Sequence, residues 1–198
     1  MGAIEGMAFG SSIRWDRVHS IWLACILVLG LAVGPARSAA AASAAELSAE
    51  GKAALASLRA GNRVARLLAP STKAILVFPN ILKAGFMFGG QIGEGVLLKD
   101  GRPAGYYNSV AASYGLQAGI QKFGYALFFM DDASLASFEN SAGFEIGVGP
   151  SIVVVDAGLG KTLTTQTIRS GIYAFIFDQK GLMAGIGLQG SKITRISK

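Results

Sequence analysis

Three kinds of residue could do chemistry in this chain. The first is Gly160-Lys161-Thr162, which has the ending of a phosphate-binding loop. The full motif, G-x-x-x-x-G-K-[ST], needs a glycine where Val155 stands. It also needs a helix N-terminus behind it to hold phosphate. Leu163-Thr164-Thr165-Gln166-Thr167 is β-prone instead, so the segment reads as a glycine-rich loop between strands with Lys161 exposed, and nucleotide binding is excluded. The second kind is the acids. Asp131, Asp132 and Glu139 are spaced for helix capping, not for the oxygen cage of a calcium loop. Glu94 and Glu145 lie on glycine-rich strands and need a cation, such as Lys83 or Arg169, if they point inward. A paired-carboxylate hydrolase would need two of these acids converging in a cleft, and nothing in the sequence fixes their separation. The third is the pair Cys25 and His19, the only cysteine and the only histidine.

Both of these lie in an N-terminal segment that reads as a secretory leader. Arg14 and Arg17 precede an apolar run, Ile21 to Val33, and small residues follow from Ser38 to Ala45. The run is short for a bilayer span, which takes about 20 apolar residues. Arg14 and Arg17 are not adjacent, so a twin-arginine signal is absent, and Cys25 lies inside the run, not at its end as a lipoprotein would need. We expect a Sec-type signal peptide over residues 1–44, a mature start between Ala39 and Glu46, and a periplasmic or secreted protein peripheral to the membrane. The mature chain would then hold no thiolate, imidazole or disulfide, and no metal or cofactor is expected.

What remains is positive charge. The chain carries +6. Removing residues 1–44 takes away three arginines and two acids and leaves +5. A basic exported protein meets anionic head groups or polyanions first. The candidate contacts are a helix stripe, Lys52, Arg59, Arg63 and Arg66, and the loop residues Lys99, Arg102, Lys122 and Lys161. Each cation near an anionic surface contributes about 1 kcal/mol, so several must act together.

The elements that position these residues follow from periodicity. From Leu47 to Leu68 the apolar residues Leu47, Ala54, Leu58, Ala65 and Leu68 share one helical face, opposite the basic stripe. Gly61 weakens the middle, and Pro70 ends the helix. After Thr72 the period becomes 2. Strands are expected over Ala74–Phe78, stopped by Pro79-Asn80, then over Phe86–Val96, Tyr114–Gln121, Tyr125–Met130, Phe144–Val148, Ile152–Val155, Thr162–Ile168, Ile172–Phe177 and Leu182–Leu188. Lys99 to Pro103 forms an Asp-Gly turn, Asp178 to Gly181 a hairpin loop, and Ala133 to Asn140 a short helix capped by the aspartates. The glycines of Phe78 to Leu98 suit a tightly curved sheet. Strands this short, with apolar residues on both faces and aromatics in mid-strand, fit a soluble barrel better than an outer-membrane one. The expected fold is mainly β with helices (α+β): an antiparallel β-barrel-like core, an N-terminal amphipathic helix and short surface helices.

Lys73-Ala74-Ile75-Leu76-Val77-Phe78-Pro79, Lys83-Ala84-Gly85-Phe86, Gly89-Gly90, Gly93-Glu94-Gly95-Val96-Leu97 and Ser113-Tyr114-Gly115-Leu116-Gln117-Ala118-Gly119, in that order, resemble the SYLF domain. That is a lipid-binding domain shared by eukaryotic actin-patch regulators and exported bacterial proteins. The resemblance covers residues 45–198. It implies a β-barrel core with surface helices, binding to phosphoinositides or other anionic lipids, and no catalysis. It transfers no sharp set of lipid-binding residues. The eukaryotic relatives add SH3 or similar partner modules, which this sequence does not contain, so an actin role is not expected. The function anticipated is an exported lipid-binding protein that recognises anionic membrane lipids weakly through basic surface residues. It binds no nucleic acid, and its protein partners are unknown. The alternative is a non-enzymatic envelope structural or interaction protein.

Overall fold

The computed structural model describes residues 42–148, 150–155, 170–181 and 190–198, and at 86, 87, 113–118 and 181 the backbone alone. Ala42–Lys198 forms one compact unit. Its elements are helices α1 (Ala44–Gly61) and α2 (Arg63–Leu68), a 3-10 turn (Ala69–Ser71), the long strands β1 (Ala74–Lys99) and β2 (Arg102–Phe129), helix α3 (Asp132–Glu139), and strands β3 (Phe144–Glu145), β4 (Ile152–Val155), β5 (Ile172–Gly181) and β6 (Lys192–Ile196). The strands expected over 162–168 and 182–188 fall outside the described residues.

The helix expected over residues 47–68 is two helices. Gly61 is the weak point, and the break follows it. Asn62 ends α1 and its side-chain oxygen accepts from the amides of Val64 and Ala65, starting α2. At the other end of α1, Ser43 and Glu46 form a reciprocal capping box, which satisfies two otherwise orphaned amides. The apolar face lies where the period placed it: Leu47, Leu58, Ala65 and Leu68 are buried.

Four of the expected strands merge into one hairpin. β1 and β2 pair antiparallel from Lys99↔Arg102 to Ala74↔Phe129. Asp100 and Gly101 turn the chain with positive φ of 50° and 72°, the two-residue geometry that matches strand twist. Pro79-Asn80 does not stop β1. The register shifts between Phe78 and Ile81, so a bulge absorbs the proline and the strand continues. A second shift, between Phe86 and Phe88, marks a corner where the hairpin folds back on itself. At the fold-back β1 meets its own earlier residues. A Cβ on Gly95 would lie 2.6 Å from the Phe78 ring and 2.7 Å from the Val77 carbonyl oxygen. Glycine is required there because backbone, which cannot swing aside, occupies the space.

The sheet order is β3-β6-β2-β5-β4, with β1 on β2. Among the described residues the pairings are antiparallel except β4 with β5, which is parallel, a departure from the expected antiparallel sheet. Residues 178–181 form no hairpin loop. They extend β5 along β2, with Lys180 opposite Lys122, and the register shift beside Gly124 takes up the positive φ of Asp178. The result is mostly β with a few helices, a curled half-barrel.

Both faces of the sheet are covered at the ends of the hairpin. The inner core gathers Leu76, Phe78, Ile81, Leu97, Phe123, Tyr125 and Phe129 under α3. There the Phe138 ring packs tilted against Tyr107 and Phe129, with centroids 4.8 and 5.0 Å apart. The outer core packs Leu58, Val64 and Leu68 of the helices on Ile75, Val77, Val96, Leu98, Phe128 and Phe175. Each such buried side chain contributes about 1.5–3 kcal/mol. In the middle of the hairpin the burial expected on both faces is absent from the outer face: Leu82, Phe88, Ile92, Val110 and Ile120 are exposed. The inner face there is polar. Gln91 Nε2 donates to Ser191 Oγ and the Tyr125 hydroxyl donates to Ser109 Oγ, both at 2.8 Å and both buried, so these groups keep the bonds that burial demands.

Candidate functional site: a basic groove

One residue of the helix stripe, Arg59, lines a groove beside the β1–β2 turn. A cavity of about 330 Å³ opens between the end of α1, the 3-10 turn and the β1–β2 turn. Leu55, Ala69, Pro70, Ile75 and Leu98 supply apolar walls; Arg59 and Lys73 supply cations, and Asp100 an acid. The size suits a small ligand or a lipid head group. Local sequence explains the geometry. Pro70 ends the helical segment, Thr72 Oγ1 donates to the Ala69 carbonyl at 2.8 Å, and the chain enters β1 at Ala74, leaving Lys73 at the rim.

The helix stripe is not one face. Lys52 and Arg59 lie exposed on α1, and Arg63 and Arg66 lie on α2 beyond the break. Arg66 Nη1 donates to the carbonyl oxygens of Arg59 and Ala60 at 3.1 and 3.2 Å, so it closes the end of α1. Lys99 is held by both oxygens of Glu139, at 2.8 and 2.9 Å, and binds α3 to the hairpin turn. Arg102 is exposed beside that turn, and Lys122 is exposed on β2. Lys161 falls outside the described residues. Of the seven that are described, only Arg59 lines the groove, and Arg102 stands next to its lining residue Gly101 in sequence.

Lys73 was missed. Its signal was position: it lies between Thr72, where the helical period ends, and the strand that starts at Ala74, where a chain leaves a helix pair and must run along its edge. It pairs with Asp132 at 3.0 Å, both side chains well exposed, so the pairing is weak and exchangeable. Two further acids are structural. Asp131 caps α3, accepting from the Ser134 amide at 2.7 Å, and Glu94 accepts from Lys198 at 2.7 Å. Among the described residues no cluster of three or more His, Cys, Asp or Glu could hold a metal, and no helix is long and apolar enough to cross a membrane.

A curated relative, Protein YSC84 of Saccharomyces cerevisiae, is 28% identical over 126 residues, 60% of this chain and 27% of that protein. The chain therefore matches only about a quarter of that relative's length. The SYLF resemblance read from the residues is met by the family comparison in the C-terminal part of the chain: residues 110–198 match the Ysc84 (SYLF) family, described as Las17-binding protein actin regulator.

Proposed function

We propose that the protein is exported and binds anionic lipids, phosphoinositide-type head groups among them, weakly and without catalysis. The observation that carries this reading is the groove, with Arg59 and Lys73 at the rim of an apolar floor. A phosphate would accept charge-assisted hydrogen bonds from the guanidinium and the ammonium. Leu55, Pro70, Ile75 and Leu98 would receive the first carbons behind it. The exposed cations Lys52 and Arg102 add long-range attraction to the same kind of surface, screened over about 8 Å at physiological salt.

Co-sedimentation of residues 42–198 with phosphatidylcholine vesicles of rising phosphatidylglycerol content tests the reading. Binding should rise with anionic lipid and fall with salt. Arg59→Glu with Lys73→Glu should weaken it about thirtyfold or more, from the loss of two surface charge contacts of about 1 kcal/mol each. Arg102→Glu is the clean probe of the turn, because reversing Lys99 would also break its pairing with Glu139.

A second reading, a non-enzymatic envelope interaction protein, draws support from the family description, which names a protein partner, and from the use of Lys73 and Lys99 in pairs within the fold. Pelleting that ignores anionic content and both charge reversals would put this reading in place of the first.

Export rests on the leader pattern. The Ser43–Glu46 capping box lies inside the window expected for cleavage, and a start at or before Ser43 keeps it. Intact-mass measurement of the secreted protein should give a first residue from Ala39 to Ser43. A mass retaining Met1 would replace cleavage with an anchor.

A further inference from the structure

The outer face of the hairpin is covered by α1 and α2 at its two ends, over Ile75 and Val77 and over Val96 and Leu98, and across the middle its large apolar side chains are exposed. From Leu82 to Ile92 on β1, and from Val110 to Lys122 on β2, the outward positions of known exposure hold Leu82, Phe88, Ile92, Val110 and Ile120, separated by Ala84, Gly90 and Ala112. Phe88 is 77% exposed and Ile120 66%. Across the corner the register advances by an even number of positions on each strand, two on β1 and four on β2, from Phe86↔Ala118 to Phe88↔Tyr114, so the apolar positions stay on one face. Ile92 stands directly opposite Val110, and Ala84 opposite Ile120. Five large apolar side chains on small-residue spacing make a patch of the kind that marks an interaction site.

Shape and charge select the occupant. The patch lies on the convex side of a folded-back hairpin, so its described residues offer protruding side chains. At its edge Leu82 is paired with Lys122, and Lys122 with Lys180. Two exposed lysines thus sit side by side, a like-charge pair that an anionic partner relieves. The acid at the other edge, Glu94, is already neutralised by Lys198 at 2.7 Å. Apolar pegs with a cationic rim are the chemistry of the bilayer interface, where side chains enter the acyl boundary and lysines remain at the phosphates.

We propose that this bare outer face docks on an anionic bilayer, with Phe88, Ile92, Ile120, Leu82 and Val110 entering the acyl boundary and Lys122 and Lys180 holding the head groups. The inference rests on the lipid reading above but uses a different surface. The groove would take one head group, whereas the patch would seat the domain on the membrane plane.

The test uses residues 42–198, which carry the described core, and vesicles of equimolar phosphatidylcholine and phosphatidylglycerol. Phe88→Ser with Ile92→Ser alters side chains already in water, so the melting temperature should stay at the parent value. Vesicle binding in high salt, where charge contacts are screened, should fall about tenfold or more. Lys122→Glu with Lys180→Glu should instead weaken binding in low salt. If the serine variant binds like the parent at every salt concentration while Arg59→Glu with Lys73→Glu abolishes binding, the patch plays no part: the inference is overturned and the lipid reading stands. If the parent is a dimer, the serine variant a monomer, and vesicle binding is equal, the patch is a self-association surface and the inference is again overturned. If the parent pellets with no vesicle even in low salt, the lipid reading itself fails and takes the inference with it.

Discussion

Arg66 donates from Nη1 to the carbonyl oxygen of Arg59 at 3.1 Å, so a side chain of α2 closes the exposed end of α1. Two residues of the proposed basic stripe therefore bond to each other through a backbone acceptor. Arg66→Glu would remove the donor and place an acid at the negative end of the α1 dipole. It should cost about 0.5–1 kcal/mol of stability. Arg59→Glu, whose backbone carbonyl survives the change, should cost less. Urea midpoints of residues 42–198 decide this, and equal midpoints for parent and Arg66→Glu would show that the cap contributes nothing. Loss of lipid binding in an Arg66 variant must accordingly be read against its stability.

Glycine positions separate by what surrounds them. Gly95→Ala should destabilise by about 1–3 kcal/mol, because the new methyl meets the Val77 carbonyl and the Phe78 ring, and overpacking against backbone has no relief. Gly61→Ala meets nothing within 4 Å and is not in the left-handed region. It should stabilise α1 by about 0.5–1 kcal/mol. A Gly95→Ala protein as stable as the parent would contradict the close fold-back of β1.

Asn62→Ala removes the acceptor of two α2 amides, from Val64 at 2.9 Å and Ala65 at 3.0 Å. The expected cost is about 1 kcal/mol, with amide exchange accelerated in α2 before the sheet. Uniform protection across α2 in the variant would show that the cap is dispensable.

The phenol of Tyr125 is fully buried, and that burial pushes its pKa well above the ordinary value of 10, against the opposing hydrogen bond with Ser109. Burial raises Tyr107 as well, opposed by Arg195. A raised pKa means the folded state keeps a proton that the unfolded chain gives up. The contribution is complete below pH 10 and is lost as pH rises above it. Stability should thus fall steeply on the alkaline side, and Tyr125→Phe should flatten that slope while losing about 1 kcal/mol from the Ser109 bond. On the acid side Glu46, lowered by its bond to the Ser43 amide, contributes above the usual carboxylate range and is lost as pH falls through its own value. An alkaline slope identical in parent and Tyr125→Phe would contradict the first assignment.

Local signals in the sequence carried further than distant ones. The change of period after Thr72 put the start of β1 within two residues, and Asp131 was legible as a cap because capping depends on a residue and its near neighbours. The merging of four strands into one hairpin was not legible. Proline at 79 argues locally for a stop, and only pairing with β2 and a bulge lets the strand pass through it. Asn62 carried a readable cap signal that the continuous apolar face obscured. The bonds of Lys99 to Glu139 and of Lys73 to Asp132 join residues far apart in the chain, so charge alone could not tell a paired lysine from an available one. The bare patch was hidden for a related reason. Phe88 and Ile92 alternate like core residues, and their exposure depends on where the two helices end.

The contact between Lys198 and Ala42, Nζ to carbonyl oxygen at 2.7 Å, brings the two ends of the folded unit to one point. A ring closed by a short glycine-serine linker between them would need little rearrangement, and new ends could be opened at any exposed loop outside the β1–β2 turn. The order in which the segments occur along the polypeptide is therefore separable from their arrangement in space. A permuted chain, with β6 leading directly into α1, should reach the same half-barrel.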